Sequence, residues 1–163
     1  VPDRAPVPTE AVLAAVRAAA EAAPELPLFA GGKSYGGRMA SHAAAESSQA
    51  AARTSLPKVR GLVFFGFPLH PPEQPSTKRA DHLSRVKLPM LFLQGTRDKL
   101  ADLSLLRPIC AKLGSRATLH IIETADHSFH VLKSLEKTDA EVMRELARTV
   151  GEWTDKIMRQ ESE

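Results

Sequence analysis

Leu28-Phe29-Ala30-Gly31-Gly32-Lys33-Ser34-Tyr35-Gly36-Gly37 is the stretch that decides the fold of this chain. A short apolar run, Leu28 to Ala30, meets paired glycines, and Gly32 to Gly36 fits the pattern G-x-S-x-G. From Ser34 to about Arg53 the sequence is rich in alanine, with Met39 among spaced alanines, and reads as a helix. A serine on a tight strand-to-helix turn projects its hydroxyl outward, and glycines two positions to either side, Gly32 and Gly36, let the backbone bend that sharply. The N–H of Tyr35 then opens the helix and can donate to a developing oxyanion. Gly31 and Gly37 add room for close helix packing.

The same residues admit a second reading. Gly32-Lys33-Ser34 after a strand also ends a phosphate-binding loop, which would make the segment a nucleotide site. That pattern needs a further glycine five positions before Gly32, where Pro27 stands, and Leu28 to Ala30 has the texture of strand rather than loop.

Working outward, Thr9 to Ala23 reads as a helix with Thr9 as its N-cap, ended by Pro24 and Pro27. Val59 to Phe67 and Pro89 to Leu93 are nearly continuous apolar runs, as expected of strands covered on both faces, and Ala117 to Ile122 is a further strand. Pro68 to Lys78 contains four prolines and is a long loop. Asp102 to Leu113 is expected to be helical. Asp139 to Met158 forms one long amphipathic helix with Val142, Leu146, Val150, Trp153 and Ile157 on a single stripe. Short apolar strands alternating with helices argue for an α/β fold: a parallel sheet of about four strands with helices on both faces.

In such sheets functional groups gather just past the C-terminal ends of the strands. Asp98 follows the Pro89–Leu93 strand in Gln-Gly-Thr-Arg-Asp, and His127 follows the Ala117–Ile122 strand in Glu-Thr-Ala-Asp-His. Either residue alone could be an ordinary loop side chain. Together with Ser34 they supply the order Ser, Asp, His at three strand ends. Serine is a poor nucleophile until a neutral imidazole accepts its proton, and an aspartate orients that ring. His130 is the alternative base and Asp102 the alternative acid; Asp126, a chain neighbour of His127, is poorly placed to orient it. His42, His82 and His120 are scattered over helix and strand, and no tight His/Cys/Asp cluster suggests a metal, so neither metal nor cofactor is expected.

Four blocks, GGKSYGGRMASH, GLVFFGFPLHPP, PMLFLQGTRDKL and ADHSFHV, resemble the corresponding blocks of small dienelactone-hydrolase-like α/β-hydrolases, and of the KANL/Tex-type subgroup in particular. The resemblance covers nearly the whole chain from Pro27 onward. It implies an α/β-hydrolase core and a carboxylic-ester hydrolase in which Ser34 is the nucleophile, Asp98 the acid and His127 the base. A catalytically silent scaffold or interaction module on the same fold is the alternative. His70, in the His-Pro-Pro block, either lines the substrate site or belongs to a proline-stiffened crossover.

The rest of the composition bounds the setting. The chain has 163 residues, enough for one domain, with 22 Lys and Arg against 19 Asp and Glu, a formal charge of +3. This excess is small, and the basic residues alternate with acidic ones over 133–137 and 144–148, so nucleic acid is not the expected partner. No apolar run approaches the ~18–20 residues that span a bilayer, and no signal peptide is visible. Cys110 is the one cysteine, expected as a small buried apolar residue in a reducing, cytoplasmic setting. Residues 1–8 have the texture of a linker. Since complete hydrolases of this type carry further strands before the nucleophile, residues 1–163 are expected to be the C-terminal part of a single domain. The nucleophile strand would then be an open edge, suited to a missing segment or a second copy.

Overall fold

The computed structural model describes residues 7–47, 59–132 and 137–160. Four strands, β1 (Leu28–Lys33), β2 (Val59–Phe65), β3 (Met90–Gly95) and β4 (Ala117–Ile122), form one sheet in the order β1-β2-β3-β4. All three pairings are parallel. The helices are α1 (Val7–Ala22), α2 (Tyr35–Ser47), α3 (Leu103–Leu113) and α4 (Asp139–Gln160), with a 3-10 helix over Lys78–Arg85.

Alternation along the two central strands divides the core between two faces. Leu62, Phe64, Met90 and Phe92 point into a layer shared with Val16 of α1, Ala44 and Ala45 of α2, and Leu106, Cys110 and Leu113 of α3. Val63, Leu91 and Leu93 point the other way, onto Val142, Leu146, Trp153 and Ile157 of α4. Strands covered on both faces have little use for polar positions, which explains their nearly continuous apolar texture. The α4 stripe packs as its spacing predicts, with Val150 at its half-buried margin.

The boundaries differ from expectation where local chemistry intervenes. α1 begins at Val7 rather than Thr9; Pro8 sits in the first turn, where its missing N–H has no helical acceptor to lose, and Thr9 is buried rather than capping. α2 ends at Ser47 in the described residues, and the expected continuation over 48–53 lies outside them. β2 stops at Phe65 because Gly66 turns the chain at φ 69°. β3 runs on through Gln94 and Gly95, which pair with Ile121 and Ile122 of β4. Asp102 caps α3 rather than forming its first residue, its side chain accepting from Ser104 N at 2.8 Å. Cys110 is buried, and desolvation pushes its thiol up to about 11.

These choices place the C-terminal ends of all four strands along one rim. β1 and β4 are the edges of the described sheet, so the nucleophile strand is an edge as the sequence implied.

Candidate active site

Ser34 stands between β1 and α2 at φ 52°, a left-handed conformation that costs a non-glycine residue about 1–3 kcal/mol. Two backbone bonds hold it there: Ser34 N donates to Phe65 O at the end of β2 (3.0 Å), and Arg38 N donates to Ser34 O (3.2 Å). The glycines around it divide the work differently from the pattern's symmetry. Gly32 lies at φ 154°, and a Cβ on Gly37 would stand 2.6 Å from Gly32 O and 3.2 Å from the Phe64 ring. A Cβ on Gly36 would meet nothing within 4 Å. The tight crossing of β1 and α2 therefore needs Gly32 and Gly37, and the expected steric need for Gly36 is not met.

Ser34, His127 and Asp98 come together. His127 Nε2 lies 2.8 Å from Ser34 Oγ, and His127 Nδ1 lies 2.7 Å from Asp98 Oδ2. The carboxylate only accepts, so the Nδ1 proton faces Asp98 and Nε2 is left to accept from the serine hydroxyl. The Asp98 side chain is wholly buried, while His127 keeps 22% of its side-chain surface exposed. Leu100 N donates to Asp98 Oδ1 at 2.8 Å, and Gln94 Nε2 donates to the same Oδ2 that holds His127. With a donor on each side, the ionised carboxylate stays satisfied out of water.

The two loops that carry Asp98 and His127 are laced to each other. Thr96 N donates to Ile122 O (3.1 Å), Arg97 N to Ala125 O (2.9 Å), Thr124 N to Thr96 Oγ1 (2.7 Å) and the Arg97 guanidinium to Thr124 O (3.1 Å). Asp126 does not touch the His127 ring. Its carboxylate instead accepts from Ser128 N and His130 N and so closes the turn beneath the histidine. The alternative base, His130, points away to Asp139 at 2.7 Å, and that hydrogen bond raises its pKa. The alternative acid, Asp102, is spent on the α3 cap.

Two contributors, Gly66 and Gln94, were not singled out in the sequence, and a third, His70, was singled out without a defined role. Gly66 lies under His127: a Cβ there would stand 3.2 Å from Nδ1 and 3.3 Å from Cε1. Gln94, fully buried, accepts from Phe67 N at 3.1 Å while donating to Asp98, joining the β2 and β3 exits. A lone amide ending an apolar strand was the available signal. His70 is the third. Beyond the stiff crossover, it makes three bonds: its Nε2 accepts from Asp102 N (2.9 Å), its Nδ1–H donates to Pro71 O (2.8 Å), and its own N–H donates to Leu100 O (3.0 Å). It thereby pins the β2 exit to the loop after Asp98.

Tyr35 is the first residue of α2, where N–H groups run along the axis and out of the helix end toward Ser34. The Lys33 ammonium lies 3.3 Å from Ser128 Oγ, beside His127 in the chain. Gly32 and Lys33 complete β1, so no loop of backbone amides precedes the lysine and the phosphate-loop geometry is not formed. Among the described residues no group of three or more His, Cys, Asp or Glu is arranged to hold a metal, and no helix is long and apolar enough to cross a membrane.

Solved structures show the same architecture. An alpha-beta serine hydrolase homologue from Coxiella burnetii superposes with a TM-score of 0.62 at 17% identity, over 88% of this chain and 57% of that one. The esterase domain of a Rhodothermus marinus protein gives 0.60 at 16%, over 89% and 67%. Thermogutta terrifontis esterase 2, phosphonylated by sarin, gives 0.60 at 17%, over 92% and 64%. At such identities the likeness is one of fold, and the chain spans little more than half the length of the first of these structures. The alpha/beta hydrolase domain family model matches residues 1–155, and with the strand order and the turn at Ser34 already described, the chain belongs to that family.

Proposed function

We propose that this chain carries the acyl-transfer machinery of a serine esterase. The observation that carries the reading is the continuous line from Ser34 Oγ through His127 to the buried Asp98, at 2.8 and 2.7 Å. His127 takes the serine proton as Ser34 Oγ attacks the ester carbonyl. Asp98 keeps the ring in the tautomer that can accept it and stabilises the imidazolium that forms. The Tyr35 N–H donates to the oxyanion, and His127 returns the proton to the departing alkoxide. Water then repeats the cycle on the acyl-enzyme.

The four sequence blocks support a dienelactone-hydrolase-like protein of the KANL/Tex type working on a small ester without a cofactor, and the single cysteine, Cys110, supports a reducing, cytoplasmic setting. The open edge of β1 supports pairing with a further strand, from a segment preceding the nucleophile or from a second copy. The scaffold alternative keeps the same fold without turnover and draws on the small basic excess, +3. Turnover of p-nitrophenyl acetate decides between them. The esterase reading expects hydrolysis that Ser34→Ala and His127→Ala each reduce by at least ~10³-fold and Asp98→Asn by ~10²–10⁴-fold. Hydrolysis that Ser34→Ala leaves intact contradicts it.

A further inference from the structure

One turn along α2 from Ser34 begins a seam where α2 packs on the 3-10 helix, and its chemistry is unlike the rest of the surface. On α2, Arg38 and His42 are four residues apart and share a face. On the 3-10 helix, with three residues per turn, Arg79, His82 and Arg85 fall in one row, and Asp81 stands off it. The two rows meet where the His42 and His82 rings stack, with centroids 3.6 Å apart and planes at 14°. Ser41 Oγ lies 2.7 Å from His82 Nε2 and 2.7 Å from Arg38 O. The Ser41 proton goes to the carbonyl, so His82 Nε2 carries a hydrogen and donates. Burial first, then the adjoining His42 and the Arg85 and Arg38 cations, drive His82 down to about 3, and burial with Arg38 and Arg85 also lowers His42, so both rings are neutral at pH 7.

Above this neutral floor the charge is unbalanced. Among the described residues no carboxylate pairs with Arg38, Arg79 or Arg85. Arg38 is half-buried, its guanidinium carbon lies 5.6 Å from the Tyr35 ring centre, and its Nε is buried with no hydrogen-bond partner. Arg79 sits close enough to depress its pKa further, after burial itself. A fold that buries a guanidinium N–H unpaired beside a second arginine is organised for an acceptor with negative charge. Arg38 follows Ser34 by four residues, about 6 Å of helical rise, and its guanidinium stands at the ring of Tyr35, the chain neighbour of Ser34, so the acceptor's place adjoins the nucleophile.

We infer that this seam, headed by Arg38 and Arg79, binds an anionic oxygen group, a carboxylate or phosphate, borne by the ester substrate of Ser34. The substrate class is therefore an ester with a second, acidic end, held so that its carbonyl falls over Ser34. The inference rests on the esterase reading, deepens it, and can fail separately from it.

The test compares mono-p-nitrophenyl succinate with the neutral p-nitrophenyl acetate, in wild type, Arg38→Gln, Arg38→Lys and Arg79→Gln. The expected kcat/KM ratio of anionic to neutral ester is about tenfold above one. It should fall about tenfold in Arg38→Gln, mainly through KM, and less in Arg38→Lys, which keeps the charge but loses the planar fork. Added salt should raise the KM of the succinate ester. A wild-type ratio at or below one, with Ser34-dependent turnover of the neutral ester, overturns the inference and leaves the esterase reading standing. A second arm titrates free succinate and inorganic phosphate against the His42 and His82 ring resonances. Shifts in wild type that vanish in Arg38→Gln support the seam. Free anions that shift the rings without any preference for the charged ester overturn the claim that the substrate carries the anion. If neither ester is turned over, the esterase reading fails, and unshifted rings then overturn the seam as well.

Discussion

Gly66→Ala tests the site at the place where backbone geometry and side-chain chemistry meet. The new methyl would stand 3.2 Å from His127 Nδ1 and 3.3 Å from Cε1, on a residue held at φ 69°. Relief requires either the left-handed turn to open, which the strain of about 1–2 kcal/mol favours, or the ring to retreat by a few tenths of an ångström. The ring is held between partners at 2.7 and 2.8 Å, and retreat lengthens at least one bond toward the limit of useful geometry. We expect a stability loss of about 1–3 kcal/mol and a fall of about 10–100-fold in kcat with little change in KM, because binding groups are untouched. The measurements are urea unfolding and p-nitrophenyl acetate kinetics, with Gly36→Ala alongside, where a Cβ meets nothing. Gly36→Ala should fold with stability equal to or above wild type, since helical alanine is favoured over glycine by about 1 kcal/mol. A Gly66→Ala protein with wild-type kcat, or a Gly36→Ala protein less stable than Gly66→Ala, would refute the reasoning.

The remaining expectations concern the groups around the carboxylate and the buried histidines. Gln94→Leu removes a donor from Asp98 and strands Phe67 N–H, so it should cost about 1–3 kcal/mol of stability and roughly tenfold in kcat; an unchanged melting curve argues against the buried amide bridge. His70→Ala should lower the melting temperature by several degrees through the lost bonds to Asp102 N and Pro71 O, and His70→Gln, able to accept and donate, should recover part of it. His82 is neutral in the fold and charges in the unfolded chain below its ordinary value near 6.5. The unfolded state thus takes up the extra proton, and stability falls as pH drops from about 6.5 toward about 3. Between pH 7 and 5 that loss is about 1–2 kcal/mol, and a His82→Gln protein whose stability keeps the same acid slope contradicts it.

Much of this was legible in the order of residues, for physical reasons. Strands covered on both faces announce themselves because little that is polar is tolerated there, so the central β2 and β3 stand out. The α4 stripe was as plain, since a helix on one face of a sheet must repeat with the helical period. Ser34, Asp98 and His127 were visible as a set because each follows a strand end. What stayed hidden was every group whose role depends on contact across the chain. Gly66 looks like any strand-ending glycine until His127 is folded over it, 61 positions later in the sequence. His70, Gln94 and the Arg38–Arg79 seam likewise acquire meaning only from neighbours that spacing does not reveal. The G-x-S-x-G pattern shows the converse: its second glycine is named by the pattern, yet Gly37 makes the close contact.

The central claim is that Ser34 is a nucleophile activated by His127, and labelling by a fluorophosphonate probe tests it most directly. The probe phosphonylates an activated serine with loss of fluoride, a chemistry that needs no knowledge of the natural ester. Intact mass and peptide mapping of the wild-type chain should show one adduct, on Ser34. His127→Ala should label at least ~10²-fold more slowly, and Ser34→Ala not at all. Equal labelling of wild type and Ser34→Ala, or a wild-type chain that stays unlabelled, contradicts the account.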